Sequence, residues 1–371
     1  NHIRILKIWG ISEVIVAETA GRREDAVSEL DQELVEQVED RLLILCRHMD
    51  LEHPALKELF KLAVRFRCRN DLIEVESDLH IAEPEPRQKP TKRDFLNKLQ
   101  QKKIILPEIP AIFFELNEAI ANPMSSAEQI TEVVNRSPSL TALLLKIVNS
   151  PFYGFPSKID KLSHAVSLIG TREITSLALG VSVLTIFKHI PKEIIDMFSF
   201  FKHSLACGIF SRVFAAHQNS GQTEQLFVSG LLHDLGRLIL YIHFPKESLI
   251  ILARSRNRSR LLYQEEKNFL GCSHAEVGSR LMKRWKLPLI LENNVFYHHN
   301  PSAAQQVVPA AIVHLADVFV NILGIGSSGE KFIPPLDPAA WEVLDLPTSS
   351  FEKLIGQATH QFRALESILH V

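Results

Sequence analysis

Side chains of metal-binding type recur along this sequence, and the most telling of them stand together. In Gly230-Leu231-Leu232-His233-Asp234-Leu235-Gly236-Arg237 an imidazole and a carboxylate are neighbours inside an apolar helical stretch. Burying that pair costs several kcal/mol unless each group is hydrogen-bonded, ion-paired or bound to a metal. Two readings follow: a structural pair pinning two helices, or the centre of a metal site. The company of the pair favours the metal. In chain order come His203 in Phe201-Lys202-His203-Ser204, then His274 in Cys272-Ser273-His274-Ala275, then the adjacent His298 and His299, and Asp317 in His314-Leu315-Ala316-Asp317. Imidazole nitrogen and carboxylate oxygen are ligands of zinc, iron, manganese and nickel. Donors on separate helices converge readily on a bundle interior. One or two divalent ions held there would turn a bound water into hydroxide near neutral pH, and attack on phosphorus is the usual use of such a nucleophile.

The elements that must carry these residues are helices. Apolar residues recur at helical spacing near 111–121, 126–135, 138–149, 162–168, 171–188 and 195–217. The pattern continues near 222–241, 245–256, 262–269, 273–285, 287–299, 307–323, 338–342 and 349–369, with no run of alternating strands between. Consecutive helical residues point about 100° apart, so His298 and His299 share one site only if they meet different ions or the helix ends there; Pro301 favours an end. Asn149-Ser150-Pro151 reads as a helix end and turn. The run from Arg254 to Arg260 reads as a solvated helix end, because no aromatic residues interleave it. His164, His189, His217, His243 and His314 have no partner spacing and read as ordinary residues, and Phe200, Phe201, Phe210 and Phe214 as core.

Ahead of this region, Val27 to Phe66 is helical in pattern, preceded by a short helix-like Ile3 to Trp9 and a strand-like Ile11 to Val16. The stretch 82–93, with Pro84, Pro86 and Pro90 among charges, reads as a linker. The expected organisation is therefore an N-terminal segment at 1–81, mostly helical with an α/β alternative, serving as an input or partner-binding region. The linker at 82–93, a main helical domain at 94–320 and a C-terminal helical extension at 321–371 packed on that domain complete it.

The 371 residues are 46% hydrophobic and 23% charged, which excludes a disordered or repetitive chain. With 41 basic against 43 acidic residues, no global field draws the protein to nucleic acid or an anionic membrane. The four cysteines, Cys46, Cys68, Cys207 and Cys272, are scattered with no C-x-x-C pair, which fits a reducing, cytoplasmic setting. The apolar run 307–324 contains His314 and Asp317 and reads as a buried helix rather than a membrane span. The chain opens without Met, which suggests that it begins inside a longer protein.

The ligand order His, His-Asp, His residues, Asp resembles the HD superfamily of helical, metal-dependent phosphohydrolases. More closely the chain resembles the HDOD branch, a signalling-associated domain. The resemblance rests on Leu106-Pro107-Glu108-Ile109-Pro110, on Lys146 to Gly154, on Ala165-Val166-Ser167-Leu168-Ile169-Gly170, on Gly230 to Gly236, and on Ser273-His274-Ala275-Glu276-Val277-Gly278 with Trp285-Lys286-Leu287-Pro288. It spans about residues 94–320 and implies an all-α, HD-type multi-helical bundle. It also implies a regulatory or scaffolding module of a bacterial signalling protein. His203, His233, Asp234, His274, His298, His299 and Asp317 are then the metal ligands, Asp234 and Arg237 the groups nearest the chemistry, and a signalling protein the partner.

The rival expectation is an active phosphohydrolase for a phosphorylated small molecule or nucleotide, with Arg237 orienting the phosphate. The related HD-GYP class continues past its His-His pair into Glu and an Asp-Gly-x-Gly-Tyr-Pro motif. Here His298-His299 runs into Asn300-Pro301-Ser302-Ala303-Ala304, which argues against cyclic-dinucleotide hydrolysis. HD-GYP proteins also carry lysine where Arg237 stands, and the two cations are not interchangeable in geometry.

Overall fold

The computed structural model describes residues 32–70, 72, 115, 116, 118, 126–150, 152–186 and 190–369. The strand-like 11–16 stretch, the helix-like segments at 3–9 and 111–121 for the most part, and the proline-rich 82–93 stretch lie outside them. Every regular element among the described residues is helical, as the periodicity required. In chain order they are α1 (Gln32–Leu45), α2 (Pro54–Arg69), α3 (Ala127–Asn135), α4 (Pro138–Val148), α5 (Leu162–Ile169), α6 (Thr171–Ile186), α7 (Met197–His217) and α8 (Thr223–Leu232). Then come α9 (Leu235–His243), α10 (Pro245–Asn257), α11 (Leu262–Leu270), α12 (His274–Arg284), α13 (Leu289–Tyr297), α14 (Val307–Leu323), α15 (Pro338–Leu344) and α16 (Phe351–Leu369). No described helix is long and apolar enough to cross a membrane.

The axis of the molecule is α7. Asp196 starts it by accepting hydrogen bonds from the amides of Phe198 (3.3 Å) and Ser199 (3.1 Å), a side-chain cap on two otherwise unpaired donors. Phe200, Phe210 and Phe214 are buried along it, and Phe210 and Phe214 meet Phe319 of α14 edge-on or tilted. Helices α8, α14 and α16 pack around it. The Lys146 to Gly154 motif fastens this core from outside. Asn149 ends α4 by donating to Leu145 O and Ile159 O, each at 2.8 Å. Tyr153 donates to Glu224, which also pairs with Arg212 of α7 at 2.9 Å.

Two expectations are corrected. The single helix expected over 222–241 is two helices, α8 and α9, because His233 takes the Gly230 carbonyl with its own ring and ends the first. The helical front segment expected across 27–66 holds, among the described residues, two helices parted between Leu45 and Pro54. The basic run is not wholly solvated: Arg254 is buried with its guanidinium 4.9 Å from the Phe269 ring centre, and Arg260 pairs with Glu265 at 2.9 Å.

The front pair is seated on the end of α14. Arg67, 3% exposed, donates to Ile322 O (2.8 Å) and Asn321 O (3.1 Å), two of the carbonyls a helix end leaves unpaired. Beyond α14 the chain turns at Gly324 and Gly326, both at positive φ, and crosses the start of α7, where Ser327 N donates to Ser199 O. A side chain at 326 would collide with Ser199 O and the His203 amide.

Helices α9 and α12 approach as closely as their backbones allow. A Cβ at Gly236 would run into the His274 carbonyl and stand 2.8 Å from Gly278 N. Gly236→Ala should therefore destabilise the protein by about 1–3 kcal/mol, the usual cost of forcing an extra methyl into a packed interface. Urea unfolding of the variant measures this, and an unchanged midpoint would show that the contact yields freely.

Candidate metal centre

His203 lies in mid α7 and is fully buried. Its Nε2 stands 3.3 Å from Asp317 Oδ1 of α14, 3.3 Å from His233 Nε2 at the end of α8, and 3.7 Å from Asp234 Oδ2. His233 Nε2 in turn is 3.3 Å from Asp234 Oδ2 and 3.5 Å from Asp317 Oδ1. On the far side of Asp234 a second group gathers. His274, the first residue of α12, places Nε2 3.0 Å from Asp234 Oδ1, 3.2 Å from His298 Nε2 and 3.1 Å from His299 Nε2. All seven expected ligands thus meet in one interior, in two clusters with Asp234 between them, one carboxylate oxygen toward each.

Two of the histidines reach the site by the same device. His233 caps α8 and His298 caps α13, each with Nδ1 2.7 Å from the carbonyl three residues earlier, Gly230 O and Val295 O. A carbonyl only accepts, so Nδ1 carries the hydrogen and Nε2 presents its lone pair inward when the ring is neutral. His274 is fixed by Glu266, whose Oε2 lies 2.7 Å from both the His274 amide and its Nδ1. The carboxylate caps the start of α12 and orients the ring together. Arg237 Nε lies 3.3 Å from the same Nδ1, but the shorter contact with an anion decides where that hydrogen goes.

A set of inward lone pairs and carboxylate oxygens demands a cation. Asp234 Oδ1 is buried and accepts no hydrogen bond, although His274 Nε2 and Arg237 Nε stand close by. The charges follow the same logic. Burial opposes ionisation of Asp234, yet Arg237, His233 and His274 hold it well below the usual carboxylate range. Burial likewise opposes the charged forms of Asp317 and His233, but the imidazoles of His203 and His233 keep Asp317 well below that range, and Asp234 with Asp317 draws His233 up to about 10. Burial and neighbouring imidazoles push His298 and His299 well below the ordinary histidine range, which leaves them neutral. The residues therefore fit divalent metal in donor type and in the nitrogen each ring turns inward, with the proton that His233 carries in the absence of an ion leaving when one binds.

Arg237, expected to meet a phosphate, is placed differently. It is 1% exposed, and its guanidinium is spread over Asp234 Oδ1 (3.2 Å), Ser328 Oγ (2.8 Å) and Glu330 Oε2 (3.4 Å), with Glu266 at 3.9 Å. It positions the central carboxylate instead of facing a ligand. Sequence reasoning missed Glu266, Ser328 and Glu330, which carry no motif spacing, and Cys207, whose Sγ lies 3.6 Å from His203 Nε2. Cys207 was findable, one helical turn after His203 on the same face. His314 is buried as an ordinary residue would be, yet it braces the site by donating from Nδ1 to His298 O and accepting the Asp337 amide at Nε2.

Of the seven, only His299 is not buried. Tyr263 stacks on it at 4.2 Å, and it opens into a cleft of about 330 Å³ lined by Tyr263, Lys267, Glu276, Phe296, Tyr297 and Asn300, among others.

Comparison with known proteins gives this arrangement a context. The HDOD domain model matches residues 106–301. A crystal structure of an HDOD domain protein from Geobacter sulfurreducens superposes with a TM-score of 0.64 at 21% identity, covering 75% of this chain and 98% of that one. A candidate phosphohydrolase from Shewanella amazonensis gives 0.58 at 20% identity, covering 73% and 97%. A candidate signal transduction protein from Marinobacter aquaeolei gives 0.55 at 18%, covering 86% and 66%. An uncharacterized protein of Treponema pallidum is 25% identical over 221 residues, 59% of this chain and 42% of that protein, so the chain spans less than half of that relative. Asp317, Ser328 and Glu330 all lie beyond the end of the matched model.

Burial pushes Glu330 up from 4.5 to about 7, against the pull of Arg237. Between those values the unfolded chain has lost this proton and the folded one keeps it, so stability falls as pH rises through the window and levels off above it. Two and a half units correspond to roughly 3 kcal/mol at most. Glu330→Gln should flatten the decline of stability between pH 4.5 and 7 in denaturant titrations, and an unaltered slope would place the titration elsewhere.

Proposed function

This chain belongs to the HDOD family, and we propose that it is a signalling module built on a divalent-metal centre that hydrolyses a phosphoester. The observation that carries this reading is the set of inward-facing Nε2 atoms around Asp234, whose buried Oδ1 accepts no hydrogen bond. His203, His233 and Asp317 would hold one ion with Asp234 Oδ2, and His274, His298 and His299 a second with Asp234 Oδ1. Bound there, iron, manganese, zinc or nickel would supply an activated water and neutralise phosphoryl oxygens.

The remaining work falls to the chain itself. Arg237 fixes Asp234, Glu266 fixes His274, and the α8 and α13 ends fix His233 and His298. Lys267, exposed at the rim of the cleft, offers the cation that draws an anionic phosphoester toward His299. Tyr263, Phe296 and Tyr297 give the cleft aromatic walls suited to a phosphorylated aromatic or nucleotide substrate. The helical pair α1–α2, seated on α14 four and five residues beyond Asp317, is the surface through which a signalling protein would act.

A regulatory module whose ion serves stability alone is the second reading, favoured by the depth of the site. A ligand held only by the folded state at a hundred times its Kd would add about 2.7 kcal/mol without any turnover.

Elemental analysis of protein purified without chelator, joined to a phosphomonoester and phosphodiester panel with added manganese, separates these. The expected result is one to two metal equivalents with turnover. Asp234→Asn should lower kcat by roughly a thousandfold or more, as loss of a residue that assembles a nucleophile does, and Lys267→Ala should raise KM with little change in kcat. Metal without turnover would establish the regulatory reading, and less than about a tenth of an equivalent would overturn both.

A further inference from the structure

The two clusters differ in one chemical respect. The group built on His274, His298 and His299 contains nitrogen and oxygen donors only. The group built on His203, His233 and Asp317 also faces the thiol of Cys207, one helical turn after His203 on α7 and fully buried. With Asp234 Oδ2 these donor atoms number five, and they are spaced as a coordination shell is. His203 Nε2 to His233 Nε2 is 3.3 Å, His203 Nε2 to Asp317 Oδ1 3.3 Å and His233 Nε2 to Asp317 Oδ1 3.5 Å. Cys207 Sγ is 3.6 Å from His203 Nε2 and 4.0 Å from Asp317 Oδ1. Ligand atoms at about 2.0–2.3 Å from one four- or five-coordinate ion stand roughly 3–4 Å from one another, which covers these separations. The sulfur thus faces two other donors of the cluster and not only apolar neighbours.

We infer that Cys207 is a metal ligand, and that it makes the His203 cluster a site for a borderline or soft divalent ion such as zinc or ferrous iron, distinct from the harder His274 cluster. This rests on the metal centre proposed above. On binding, a metal–sulfur bond forms and the thiol proton leaves to solvent. Thiolate favours zinc and iron over manganese and magnesium, so the two positions would fill with different preferences.

Cobalt(II) reports on this directly, because a thiolate ligand gives it an intense near-ultraviolet charge-transfer absorption that imidazole and carboxylate do not. Full-length metal-free protein titrated with cobalt should develop that band, lose it in Cys207→Ser and Cys207→Ala, and keep it in Cys68→Ala, whose thiol lies in the front helices. The visible ligand-field bands of the second cluster, with the far-ultraviolet circular dichroism, show that the variants remain folded and able to bind. Zinc affinity should fall at least about tenfold in Cys207→Ser, the loss that removing even an outer support brings, while manganese affinity changes less. Cobalt bound without the charge-transfer band, or a band that survives Cys207→Ser, would overturn this inference and leave the metal centre standing. Absence of any cobalt binding would overturn both.

Discussion

A buried carboxylate has to be met by positive charge, and Asp234 is that carboxylate. The several kcal/mol that such a group would cost unpaired sets the terms for everything packed around it. Arg237 answers part of the demand from one side, and imidazoles converge on both oxygens from the others. Arg237 must itself be balanced, which brings in Glu266 from α11 and Glu330 from the crossing that follows α14. Segments far apart in sequence are thereby tied to a single charge.

The precision of the site comes from helix ends more than helix faces. An α-helix leaves its last carbonyls and first amides unpaired, and the protein meets those needs with the groups that also build the centre. His233 and His298 take carbonyls at the ends of α8 and α13, and Glu266 takes the first amide of α12. Each hydrogen bond that completes a helix also selects the ring nitrogen that faces inward. At these three histidines fold stability and tautomer choice are thus settled by the same contacts.

The helical character and the seven residues that gather in one interior were legible in the sequence because both depend on local information: apolar periodicity, and donor types in a recurring order. The break at His233-Asp234 was hidden, since Leu231 to Leu240 keeps a helical apolar pattern straight through it and the ring-to-carbonyl contact that ends α8 leaves no compositional trace. Arg237 read as a phosphate-orienting group because its neighbours in sequence pointed to phosphoester chemistry. Its actual partners, Ser328 and Glu330, lie some ninety residues away, and no spacing rule reaches that far. Cys207 was passed over for the opposite reason: the cysteines were weighed as a set, by their mutual spacing, rather than one at a time against the nearest histidine.

Arg67 holds the final carbonyls of α14, and Asn321, one of the residues it holds, donates its side-chain amide to Asp317 Oδ1 at 2.7 Å. One turn of helix therefore joins the seat of the front pair to a ligand oxygen. Free-energy coupling of this sort runs both ways. Were an ion to claim that oxygen, any tightening of the α2 seat that followed would be matched by an equal gain in affinity for the ion, and the front helices would gauge what the interior holds without touching it.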